Sequence, residues 1–273
     1  MDSIDSIAIS KLFYALIIFI ISIFSGIFPL LNRSKHASTA HQHAGNGKSH
    51  THSHEFVIGE SLASGVFLGA GLLHMLNDSA RDFSELGYQY PIAYLLCGIV
   101  FLGLLLLEHV GKEVNETSGE NSKVFVLLAA IMLSVHSLFE GVALGIRTDI
   151  SLVIVVFIAI IAHKWADGYS LAIHISKGKL RKKTSWLLFF LFTLMTPLGI
   201  VFGSYANSGF GSGLEHNNII APIFSALAAG TFLYIGTLHG LNRAVMVERC
   251  CNLYDYMYVI LGFGLMAIVG IWV

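Results

Sequence analysis

Charge is the first scarcity. Lys, Arg, Asp and Glu make up 12% of the 273 residues, against 55% hydrophobic residues and a mean hydropathy of +0.72. Soluble domains carry about twice that charged share, so a soluble globular fold is excluded as the simplest reading. Net charge is -1, and no basic stripe or nucleic-acid motif occurs, which removes nucleic acid as an expected partner. Cysteine is scarce too. Cys97, Cys250 and Cys251 form no disulfide framework; the adjacent pair reads as free thiols, with palmitoylation the weaker alternative. The first ten residues hold no basic n-region, so the first apolar run is expected to be retained rather than cleaved. No His-Glu-x-x-His motif is present, which argues against a metal-dependent hydrolase of that kind.

What is abundant is apolar sequence in blocks long enough to cross a bilayer. Eight spans are expected, at about 11–31, 56–77, 91–110, 124–146, 151–175, 185–205, 219–241 and 254–273. Helices satisfy their own backbone groups in lipid, so the fold class is all-α integral membrane, one transmembrane domain over 1–273. Orientation follows from the 16 Lys and Arg residues. With both termini outside, twelve fall on inside segments, including Lys179, Arg181, Lys182 and Lys183. Only Lys11, Arg81 and Arg147 fall outside, and Lys164 lies within a span. That bias fixes the cytosolic side.

The segment 32–55 is expected to be a cytosolic loop. It holds His36, His41, His43, His50, His52 and His54 among small polar residues. It has too little apolar surface to build a core, and it can gather metal weakly or serve only as a linker. An internal repeat is also legible. Gly65, Phe67, Leu68, Gly71, Leu73, His74, Leu76 and Asn77 recur as Gly230, Phe232, Leu233, Gly236, Leu238, His239, Leu241 and Asn242. These are spans two and seven, which run in opposite directions, as an inverted repeat requires.

Two apolar stretches carry the chemistry. His136 and Glu140 lie in span four, and His163 and Asp167 in span five. In each, the acid follows the histidine by four positions, so both side chains occupy one helix face. Ionisable groups at membrane depth cost a few kcal/mol or more each and are kept for function. Two imidazoles and two carboxylates suit a borderline divalent cation such as zinc. The bland alternative is a pair of His–acid hydrogen bonds; two such pairs on adjacent, antiparallel spans favour metal. Gly141 and Gly145 allow close approach of another helix. Lys164, next to His163, must pair with an acid, lose its proton or snorkel, and Asp167 or an acid of another helix is in reach. Ser137 is expected to bond back to a backbone carbonyl, with a supporting role at the site as the alternative. His74 and Asp78, again four apart, are expected at the outer end of span two, either receiving a cation or facing headgroups. His239, the repeat partner of His74, would mark the inner end of the route.

The run His136-Ser137-Leu138-Phe139-Glu140-Gly141-Val142-Ala143-Leu144-Gly145, followed by His163-Lys164, resembles the ZIP family of zinc and iron transporters. The resemblance implies a 3+2+3 inverted-repeat bundle with the metal site on spans four and five. It places His136, Glu140, His163 and Asp167 at the primary ligand positions, and Ser137 and Lys164 where some members bind a second metal. Lysine there resembles the His-Lys branch and implies a single ion. Two departures stand out: the His-rich segment follows span one rather than span three, and span five carries Asp167 rather than Glu. The implied function is movement of Zn²⁺ into the cytosol by alternating access, with Fe²⁺, Mn²⁺ or Cd²⁺ as other cargoes and no resident cofactor. The implied partners are the metal ion and the lipid bilayer, with a homodimer compatible. The plasma membrane is the expected location, an organelle membrane the alternative. An intramembrane metal-dependent hydrolase and a metal-gated channel or receptor are the rival readings.

Overall fold

The computed structural model describes residues 2–39, 51–116, 121–178, 180–209, 219–238 and 253–272. These residues form helices and connecting turns only. Helix α1 spans Asp2–Thr39, α2 Thr51–Gly69 and α3 Leu76–Glu85, the last two joined by a π-helical turn over Ala70–Met75. Then follow α4 Ile92–Glu116, α5 Asn121–Ile146, α6 Ile150–Lys177, α7 Lys182–Gly209, α8 Ile220–Thr237 and α9 Leu253–Val269. Among the described residues, seven helices are long and apolar enough to span a membrane, and α9 is a shorter eighth. Of the expected loop 32–55, helix covers both ends; His41, His43 and His50 lie outside the described residues, as does His239.

Local chemistry explains the boundaries. Span two does not stop near residue 77: the rod continues to Glu85, because its polar outer part is buried against neighbours rather than left in a loop. It ends in a C-terminal motif where Gly87 adopts φ +86 and the Tyr88 N–H reaches back to the Phe83 carbonyl, a left-handed cap that glycine accepts without cost from a Cβ. Pro91 then precedes α4, where a missing N–H does no harm. Asp149 caps α6, its carboxylate accepting from the Ser151 and Leu152 N–H groups at 2.7 and 3.3 Å, as helix N-termini favour. Pro197 lies inside α7 without ending it.

The bundle is built across the sequential units. The most extensive pairings are α5 with α7, α2 with α9, α1 with α6, and α4 and α5 with α8. Glycine makes the α5–α7 seam tight: a Cβ on Gly141 would fall 2.3 Å from the Thr196 carbonyl, and one on Gly199 2.5 Å from that of Leu138. Repeat partners meet directly. The rings of Phe67 and Phe232 lie 4.9 Å apart, and Gly65 abuts Val259 on α9 as Gly230 abuts Cys97 on α4. Only 22% of the apolar window of α1 and 17% of that of α4 is buried, whereas 61% is for α5 and α8. The former pair therefore faces lipid, and the latter lies at the centre with the site.

Candidate metal centre

Helices α5 and α6 bring His136, Glu140, His163 and Asp167 to one point. Each offers a ligand atom within 4.8 Å of the other three, and all four are buried. The antiparallel turn at Arg147–Asp149 allows this, since it sets the middles of the two helices at one depth. The His163 Nε2 contacts the Glu140 Oε1 closely. His136 Nε2, His163 Nδ1 and Asp167 Oδ1 are buried with no hydrogen-bond partner among the described residues. Buried polar atoms are nearly always satisfied, so three bare atoms on the residues of one cluster leave it with the capacity to hold a metal ion.

Lys164 explains the rest of the charge. Its side chain is fully buried, and the ammonium donates to Ser137 Oγ at 2.8 Å and to Glu140 Oε2 and Asp167 Oδ2 at 3.1 Å each. Both acids are therefore tied, one on its own helix and one on α5. Ser137, expected to bond back to its own helix, instead accepts from this ammonium. The Phe192 ring lies 5.4 Å below it, a cation–π contact. With both imidazoles neutral, two carboxylates and one ammonium leave the cluster at one net negative charge. One divalent cation would bring it to one positive, and a second to three, which a dry interior resists.

A third helix holds the site in shape. The Thr231 hydroxyl donates to the Ala228 carbonyl at 2.6 Å, so its oxygen is left to accept from His136 Nδ1 at 2.7 Å. The Ala228 carbonyl, which can only accept, lies 3.1 Å from the same nitrogen. These two acceptors put the proton on Nδ1 and leave the Nε2 lone pair free, the arrangement that metal-binding histidines use. Phe232 stacks on His136 at 3.6 Å and meets His163 edge-on at 5.0 Å. Neither Thr231 nor Phe232 was singled out as a site residue by the sequence; the repeat flagged Phe232 only as a framework position.

His74 and Asp78 do not lie at a helix end facing headgroups. Both are buried, on the inward face of the rod formed by the π turn and α3. Their side chains approach to 2.8 Å, out of line for a hydrogen bond, and the His74 ring is 6.5 Å from that of His163. A small cavity lined by His74, Asp78, Ala143, Ser225 and Arg147 reaches Glu140. The π turn, a feature common at functional sites, carries His74.

The chain is also similar to known proteins. A family model described as "ZIP Zinc transporter" matches residues 111–270. The chain is 27% identical over 262 residues to Zinc transporter ZIP2 of Mus musculus, covering 77% of this chain and 83% of that one. It is 28% identical over 258 residues to Zinc transporter ZIP1 of Danio rerio, covering 75% and 81%. It is 31% identical over 165 residues to Protein zntD of Dictyostelium discoideum, covering 59% of this chain and 24% of that protein.

Proposed function

Because the chain belongs to the ZIP family of zinc transporters, we propose that it carries a divalent cation, Zn²⁺ foremost, into the cytosol through the site on α5 and α6. A transporter family implies no enzymatic reaction. The observation that carries the reading is the set of three buried, unpartnered ligand atoms on His136, His163 and Asp167 beside the Glu140 carboxylate. Soft-to-borderline nitrogen and hard oxygen donors in equal number suit Zn²⁺; Fe²⁺, Mn²⁺ and Cd²⁺ are competitors. Lys164 limits the site to one ion.

The ion arrives from the non-cytosolic side past Asp78 and His74. It sheds water as His136, His163, Asp167 and Glu140 replace it, with Glu140 exchanging its His163 contact for the metal. Alternating access then opens the cytosolic side. We read the helices as a 3+2+3 inverted repeat, and the pairings support that reading: exchanging α1 for α7, α2 for α8, α4 for α9 and α5 for α6 turns the α1–α6 seam into α7–α5, and the α2–α9 seam into α8–α4. Such a fold supplies two related states from one set of contacts. We place the protein in the plasma membrane, where this direction is uptake.

Radioactive zinc flux into proteoliposomes, competed by other divalents, tests the reading. Saturable flux should vanish in His136→Ala and Glu140→Ala at unchanged incorporation. Undiminished flux in either variant overturns the site.

A further inference from the structure

We propose that the ion pair between Arg147 and Asp82 is the outer gate of the route to the metal centre. The inference rests on the reading that ions move through that centre. Two registers carry it. On α5, Glu140, Ala143 and the following Arg147 lie at i, i+3 and i+7, which is one face of the helix extended by a residue. On the facing rod, His74, Asp78 and Asp82 lie at i, i+4 and i+8. The two rows face each other across the cavity that reaches Glu140, and Arg147 lines its far end. There the guanidinium Nη2 meets Asp82 Oδ2 at 2.7 Å and bridges the rows.

The pair is placed as a closure and not as a permanent brace. Its side chains are 9% and 15% exposed, so it lies where the buried route meets the surface. Arg147 Nε is buried with no hydrogen-bond partner among the described residues, so the guanidinium is incompletely satisfied in the closed arrangement. That unmet donor lowers the cost of letting go. The two partners also belong to different elements: Asp82 lies on α3, which packs on α4 and α8, whereas Arg147 lies in the turn between α5 and α6, and α5, though it shares α8 with α3, packs most extensively on α7. Any movement of α3 away from the α5–α6 turn requires this bond to part. A divalent cation reaching Asp82 and Asp78 offers both carboxylates a stronger partner than the guanidinium, and so opens the gate it approaches.

The test reads access directly. Ser225, which lines the cavity, is replaced by cysteine in the full-length protein in cells. A membrane-impermeant cationic thiosulfonate is applied from the non-cytosolic side, with the unsubstituted chain as the blank. In the Ser225→Cys background, Arg147→Gln and Asp82→Asn should each speed labelling by on the order of tenfold, the weight of a charge-assisted hydrogen bond. These two changes shift the local charge in opposite directions, so a gain in both cannot come from steering of the reagent. The readout is the labelled fraction of surface protein, which stands even if less protein reaches the surface. Parental labelling rates in either variant overturn the gate. Zinc flux separates the two ideas: flux with unaltered labelling sinks the gate, and no flux in the unsubstituted chain, whatever the labelling, sinks the transport reading.

Discussion

Replacing Gly199 by alanine should damage zinc transport far more than it damages the fold. A Cβ at 199 would stand 2.5 Å from the Leu138 carbonyl and 2.9 Å from both the Gly141 Cα and the Val142 nitrogen. All three are backbone atoms, so no side chain can swing aside. Ordinary contact begins at 3.4 Å, so α5 and α7 must separate by about 0.9 Å at this level. Alanine gains roughly 1 kcal/mol in helix propensity over glycine, and overpacking costs about 1–3 kcal/mol, so the net loss of stability is small. The site fares worse. Leu138 sits between His136 and Glu140, and metal coordination tolerates errors of only about 0.2 Å. Displacing two ligands from the two on α6 should therefore weaken zinc handling by on the order of 10–100-fold, the range seen when ligand supports are lost. Concentration-dependent zinc uptake, normalised to surface protein, is the assay. An unaltered KM and maximal rate at normal surface level would refute the argument that the glycine seam sets the site.

Three further outcomes are expected. Lys164→Met leaves Glu140 and Asp167 without their shared cation and should destabilise the metal-free protein by about 3–5 kcal/mol; thermal unfolding in detergent with a chelator checks it, and added zinc should recover more stability in the variant than in the parent. Thr231→Val removes the nearer of the two acceptors that orient His136 and should raise the zinc KM about tenfold with surface level unchanged; equal KM values would show that the Ala228 carbonyl suffices. Acidification should reduce uptake, because a proton on either imidazole takes the lone pair the cation needs and adds repulsion, so the loss runs from high to low pH. Zinc uptake followed as the medium is acidified, normalised to surface protein, checks it, and uptake that rises on acidification would contradict ligation through histidine.

The four-residue cluster was legible because its signals are local. A histidine and an acid one turn apart stand out in an apolar run, and membrane burial makes each of them costly. The contributions of α8 were not legible, since Thr231 and Phe232 reach His136 from some ninety-five residues away and follow no period that links them. Gly141 and Gly145 announced a close approach but not its partner; that α7 answers with Gly199 depends on three-dimensional packing. The outer half of span two was misplaced for a related reason. Asn77, Asp78, Ser79, Arg81 and Asp82 look like a loop in hydropathy, yet Ser79 donates to the Pro222 carbonyl at 2.7 Å and Asp78 is buried. Polar residues that line a route inside a bundle resemble solvated ones when only the sequence is read. Ser137 shows the same limit at one side chain, because its partner was decided by where the Lys164 stem points.

The aromatic ring against both imidazoles comes from neither helix that supplies the ligands. Phe232 belongs to α8, and so does the hydroxyl that steadies His136. If α8 slides relative to α5 and α6, the hydrophobic shield and the steadying acceptor leave together. Water then gains the cation at the same moment that its grip loosens, so rehydration of the cargo and helix displacement become a single event.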